Sequence, residues 1–124
     1  MSKDQFSDQK FVMLESYADN GNPIQSPVWI LQDNGMIYFR TDPSTGKVRR
    51  IQKNPTVRIA PADISGEILG SWVKGEAHFA EGEEAKRVFK LFKKKYGIIG
   101  RIIDFFNRLR GRKMTMVIGI KIQT

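Results

Sequence analysis

The sequence predicts a mainly β fold, a small β-barrel of six strands with two helices inserted in the C-terminal half before the last strand. Three observations predict it. Apolar residues alternate with period two over six short runs, each bounded by glycine, proline, asparagine or aspartate clusters. Asp33-Asn34-Gly35 stands between two of those runs, and Asx-Gly between β-rich segments is a strong short-range hairpin signal. The period changes to 3.6 over a long stretch only between the fifth and sixth runs.

Each element can be justified in order. Lys10 to Ala18 reads as the first strand, closed by the turn signal Asp19-Asn20-Gly21-Asn22-Pro23. Ile24 to Gln32 is the second and Met36 to Thr41 the third, antiparallel neighbours across the hairpin. The loop Asp42 to Gly46 opens a short helix from about Lys47 to Lys53, with Val48 and Ile51 inward and Asn54-Pro55 as its stop. Thr56 to Ala62 is the fourth strand, with Val57 and Ile59 opposite Arg58. Ser71 to Ala80 is the fifth, with Val73, Ala77 and Phe79 opposite Trp72, Lys74, Glu76 and His78.

Ala85, Val88, Phe89, Phe92 and Tyr96 then form a helical stripe. Tyr96-Gly97 marks a break. A second helix, about Ile98 to Leu109, carries an apolar face so broad that the barrel or a partner subunit is expected to cover it. Gly111 ends that helix, and Arg112 to Thr124 returns as the alternating sixth strand.

A length of 124 residues suits one domain, residues 1–124, with residues 1–9 expected to be flexible. No run approaches a membrane span, and the first residues lack an apolar signal core, so a cytoplasmic location is expected. Without cysteine there is no disulfide and no thiolate chemistry, and a lone histidine excludes a multi-histidine metal site. Lysine and arginine outnumber acids by 21 to 13, a net charge of +8 that favours an anionic partner. Nucleic acid, acidic lipid, a phosphate ester and a polyglutamylated cofactor all fit that balance. The basic run Lys86–Lys95 reads as a solvated outer face, with Glu81, Glu83 and Glu84 at its helix start as the helix dipole favours. Neither a nucleic-acid nor a membrane partner is therefore expected.

The stretch from Tyr38 to Arg50 is the most informative for chemistry. A strand ends, Thr41 and Ser44 supply hydroxyls, Gly46 permits close backbone approach, and a helix begins with Lys47. Helix N-termini present unpaired N–H groups and partial positive charge, which suits a phosphate. Lys47 and Arg50 lie three apart on one helical face. The same junction also fits an ordinary N-capped helix with solvated cations. In Ser26-Pro27-Val28-Trp29 the proline marks a strand edge or bulge, where free backbone can bond the rim of a flat heterocycle. On the fragment alone, Trp29 also reads as a core residue. Trp72, on the polar face of its strand, is the kind of aromatic that a ligand or second subunit buries. No catalytic side chain can be placed, so a bound cofactor is expected to carry any chemistry.

Taken together, Ser26 to Trp29, Thr41 through Lys47 and Asn54-Pro55-Thr56-Val57-Arg58 resemble the pyridoxamine-phosphate-oxidase-like split β-barrel superfamily. Trp72 to Ala77, Lys95-Tyr96-Gly97 and Asn107 to Arg112 are similar to its small oxidoreductases that use the deazaflavin coenzyme F-420. The resemblance covers nearly all the chain from Phe11 onward. It implies a split barrel of the FMN-binding type, forming a homodimer with two cofactor sites at the interface. By position it implies that Thr41 and Lys47 hold the cofactor phosphate, with Arg40 and Ser44 in reach; Arg50 is added from helical geometry. It further implies that Ser26, Pro27, Val28 and Trp29 lie along the ring system and that Trp72 contacts the cofactor across the dimer. Oxidases of the superfamily often carry Ser-Arg-Lys before the helix, whereas Thr45-Gly46-Lys47 stands here. The resemblance thus implies hydride transfer to an electron-poor small molecule from coenzyme F-420, or else an FMN-binding oxidase, reductase or carrier. A cofactor-free basic module for nucleic acid or membrane is the alternative of another class.

Overall fold

The hairpin, the barrel and the broken helix are all present in the computed structural model, which describes residues 4–123. A 3-10 turn (Asp4–Phe6) leads into β1 (Phe11–Tyr17), β2 (Pro23–Asp33) and β3 (Met36–Thr41). Then come α1 (Gly46–Lys53), β4 (Thr56–Ala62), β5 (Val73–Ala80), α2 (Gly82–Leu109) and β6 (Met116–Ile122). The strands close into an antiparallel barrel in the order β1-β2-β3-β6-β5-β4. Asn34 and Gly35 take positive φ, 52° and 78°, as the two-residue turn between β2 and β3 requires.

The barrel is split along β2. Its first part, Pro23 to Trp29, pairs only with β1, and its last part, Ile30 to Asp33, turns to pair with β3. Residues 23–29 therefore have one free backbone edge. The Ile30 N–H bonds the Lys10 carbonyl at 3.0 Å, and ladder alternation from there turns the backbone of Gln25, Pro27 and Trp29 to the open side. Proline sits where its missing donor costs no ladder bond.

Alternation fills the interior as the sequence predicts. Val12, Leu14, Ile30, Phe39, Val57, Ile59, Ile118 and Ile120 are fully buried in one cluster, and α1 adds Val48 and Ile51. Part of the segment expected to be flexible is packed on the barrel. Phe6 is 0% exposed within that same cluster, and the Gln5 amide exchanges two 2.9 Å bonds with the Ser71 backbone. Residues 1–3 of that segment lie outside the described residues. The sixth strand is shorter than its alternating pattern. Residues 112–115 stay outside the sheet because Asp42 accepts the Lys113 N–H at 2.7 Å and Arg40 holds the Met114 carbonyl.

A second core, Leu31, Tyr38, Ala80, Val117, Val88 and Phe92, lies under the first half of α2. Gly97, at φ 48° and ψ −126°, breaks α2 where Tyr96-Gly97 predicts. Beyond it the barrel does not cover the apolar face: Ile98, Ile99, Ile102, Phe105, Phe106 and Leu109 are all more than half exposed in the single chain. Among the described residues no helix is long and apolar enough to cross a membrane.

Candidate functional site

The split edge of β2, the broken helix and the segment before β6 enclose a cavity of about 760 Å³. Pro27, Val28 and Trp29 form its edge-strand wall. Trp29 is half-buried, with ring centroids 4.1 Å from Phe11 and 5.1 Å from Tyr96, the latter edge-on. The helix side is made by Phe92, Tyr96, Gly100, Ile103 and Asn107. Tyr96 and Lys95 fasten it to the barrel: the Tyr96 hydroxyl donates to the Ile30 carbonyl, and the Lys95 ammonium donates to the same oxygen at 2.9 Å. Burial pushes the Tyr96 phenol up to about 12, so it remains a donor at neutral pH.

The remaining wall is cationic. Lys47, Lys93, Arg101, Arg110 and Arg112 all line the cavity. Among the described residues the side chains of Lys47, Arg101, Arg110 and Arg112 have no hydrogen-bond or ion-pair partner. Burial, then the positive charges of Arg112 and Arg50, lower the pKa of Lys47 from the ordinary lysine value. An anion placed there would relieve that strain between like charges. The start of α1 is equally open. Thr45 occupies the cap position but makes no cap bond, its hydroxyl donating instead to the Asp42 carbonyl at 3.0 Å. First-turn N–H groups therefore keep no side-chain acceptor, unlike the N-capped alternative.

Five of the eleven expected site residues are brought together at the cavity: Pro27, Val28, Trp29, Arg40 and Lys47. Arg40 is committed to the protein. It donates to the Met114 carbonyl at 3.1 and 2.9 Å, lies 3.5 Å from Asp104, and stacks over Phe89 at 5.2 Å. Thr41 is buried, its hydroxyl 3.3 Å from that of Thr45. Ser44 gives both its N–H and its hydroxyl to Asp42, at 2.8 and 2.7 Å. Those Ser44 bonds and the Lys113 N–H hold the Asp42 carboxyl down at about 2. The loop before Lys47 is thus fixed by a carboxylate that stays ionised at neutral pH.

Gly46 lets Arg50 fold back, since a Cβ there would stand 2.8 Å from Arg50 Nη1. Arg50 itself donates to Ser16 Oγ at 2.8 Å. Ser26 alternates inward with Val28 and Ile30 and does not line the cavity. Trp72 lies just ahead of β5, 5.0 Å from the Arg58 guanidinium, outside the cavity wall of this chain. Beneath it Glu15 is 2% exposed. Burial alone would raise its carboxyl, yet bonds from Gln25, Arg58 and Tyr17 hold it below the usual range.

Sequence reading missed Arg101, Arg110 and Arg112 as site residues and took Lys93 for outer surface. Their signal was the arginine-rich run across the end of α2, which without barrel closure has no visible connection to Lys47. His78, the only histidine, is away from the cavity. Its Nε2 lies 3.0 Å from Glu84, which also accepts the Tyr38 hydroxyl at 2.7 Å.

Comparison with known proteins gives a family and a fold. A family model described as pyridoxamine 5'-phosphate oxidase matches residues 2–124. Among solved structures, the heme storage protein HutZ from Vibrio cholerae superposes with a TM-score of 0.73 at 15% identity, covering 98% of this chain and 87% of that one. An F420-H2 dependent reductase superposes at 0.61 and 18% identity, over 92% of this chain and 94% of its own. A third structure, described as a domain-swapped dimer, gives 0.61 at 17%, covering 94% and 81%. No curated protein matches the chain. At these identities the structural likeness speaks for the fold alone.

Proposed function

Because this chain belongs to the pyridoxamine 5'-phosphate oxidase family, we propose that it is an oxidoreductase whose cavity holds a phosphate-bearing deazaflavin, coenzyme F-420, with FMN as the second candidate. The observation that carries this reading is one cavity joining a free strand edge to unpaired cations. Pro27 to Trp29 offer an apolar wall and outward backbone groups to a flat heterocycle. Lys47, Arg110 and Arg112, beside the uncapped start of α1, offer positive charge to its phosphate. Bound, such a cofactor supplies hydride chemistry that no side chain here provides. The protein's own residues bind and orient it, and the Gly97-broken helix excludes water from one side.

The number of cations favours the deazaflavin. Lys47, Lys93, Arg101, Arg110 and Arg112 face a cavity with a single lining carboxylate, Asp104, which is paired with Arg40. One phosphate does not match that excess, whereas a phosphate followed by a polyglutamate tail does. Haem, which one structural neighbour stores, finds neither histidine nor cysteine among the lining residues. The acceptor class we assign is an electron-poor small molecule stacked on the ring. Competing the two cofactors for apoprotein tests the reading: preferred uptake of coenzyme F-420, seen by its shorter-wavelength absorption, is expected. Selective retention of FMN would move the assignment to the second candidate, and uptake of neither would overturn it.

The proposal includes a homodimer, built on the face around Trp72. Trp72 is partly exposed on Arg58, and the preceding loop exposes Ile64 by 77% and Leu69 by 56%. Apolar residues of that size near an aromatic–arginine pair fit the centre of an interface. Light scattering at micromolar concentration is expected to give a dimer. Trp72→Ala should weaken association by about 2 kcal/mol or more, roughly 30-fold. A monomeric wild type would remove the dimer from the account.

A further inference from the structure

The second half of α2 is oriented against the usual rule. At 3.6 residues per turn, Ile98, Ile99, Ile102, Phe105, Phe106 and Leu109 occupy an arc of about 120°. Their exposure runs from 52% at Ile102 to 76% at Ile98. The opposite arc, Gly100, Ile103, Asp104 and Asn107, is partly buried and faces the cavity, whose lining also takes in Ile98 and Phe106 from the edges of the apolar arc. Ile99, Ile102, Phe105 and Leu109, the centre and remainder of the apolar face, are exposed and line no part of the cavity.

The margins of this face decide what covers it. Arg108 lies along one side, clear of the cavity, while Arg101 on the same side and Arg110 on the other also border the cavity; all three are exposed. The segment's one acid, Asp104, is on the inner arc and bonded to Arg40. A two-fold contact of this helix with the same helix of a second copy would bring arginines of both copies together, and this segment supplies no outward acid to separate them. An anionic bilayer surface satisfies both features at once: acyl chains take the isoleucines, phenylalanines and leucine, and headgroups take the arginines. We infer that residues 98–109 dock on an anionic membrane surface, lying in its plane with the apolar arc in the headgroup–acyl boundary. Gly97, at a φ of 48°, gives the helix its own axis relative to the part packed on the barrel. Docking is independent of which cofactor the cavity holds.

The test is co-sedimentation with vesicles of phosphatidylcholine alone and of phosphatidylcholine with phosphatidylglycerol, at low and high salt. Wild type should bind the anionic vesicles at least about ten-fold more strongly than the neutral ones, and less at high salt. Ile102→Glu with Phe105→Glu, neither of which lines the cavity, should lose binding by a similar factor. Its melting curve and cofactor titration should stay as in wild type. Arg108→Gln, at a position that does not line the cavity, should weaken the anionic preference and serves if the first variant misfolds. Wild type that ignores anionic vesicles, or undiminished binding by the glutamate variant, would overturn the inference. So would a dimer that the glutamate variant splits into monomers, since the face would then belong to a second copy.

Discussion

Replacing Lys47 by alanine is expected to weaken cofactor binding about ten- to a hundred-fold while leaving the melting temperature of the apoprotein almost unchanged. A charge-assisted hydrogen bond contributes about 1.5–3 kcal/mol, which converts to that range of affinity. Lys47 has no partner in the protein among the described residues, so truncating it breaks no internal bond. The matched control is Lys90→Ala, on the exposed face of the first half of α2; Lys93 is unsuitable because it lines the cavity. A cofactor-free basic module predicts the opposite ranking, with outer lysines mattering more. The pH dependence has a definite sign. The Lys47 pKa is lowered by burial and by Arg112 and Arg50, and only its protonated form attracts an anion. Affinity should therefore be full at low to neutral pH and fall as pH rises through the depressed value, earlier than an ordinary lysine would cause. In Lys47→Ala that alkaline fall should disappear.

Phe6→Ala is expected to destabilise the fold by about 3–5 kcal/mol, the cost of emptying a fully buried aromatic site. Phe6 is 0% exposed within the barrel core, although it precedes the first strand. A loss of that size is a large share of a small domain's stability, which is about 5–15 kcal/mol. Denaturant unfolding measures it as a lower midpoint at similar slope. A change within about 0.5 kcal/mol, the range of surface substitutions, would mean that residues 4–9 are a free segment, as their polar sequence suggests.

That contrast shows where sequence reading works and where it stops. The hairpin was legible because Asn34 and Gly35 are residues that tolerate positive φ, a local property. The break in α2 was legible for the same reason at Gly97. Inward alternation of Val57 and Ile59, or of Ile118 and Ile120, needs only a period and a core. Phe6 stands alone among polar neighbours, so no period announces it. Arg40 could be placed near a phosphate by position, but only the closed barrel reveals Met114 and Asp104 as its partners. Likewise Arg112 joins Lys47 across 65 positions of chain, through pairing of β3 with β6. The stripe on residues 98–109 was plain, yet a stripe identifies an apolar face without saying what covers it.

The central claim is that one cavity recognises both a flat heterocycle and the anionic chain attached to it. The most direct measurement is a pair of titrations at fixed salt, with intact coenzyme F-420 and with the same deazaflavin ring lacking its phosphate and glutamates. With at least two cations engaged, each contributing about 1.5–3 kcal/mol, the intact cofactor should bind about a hundred-fold tighter or more. Its advantage should shrink as salt is raised. Equal affinity for the two, or saturable binding of neither, would contradict the account.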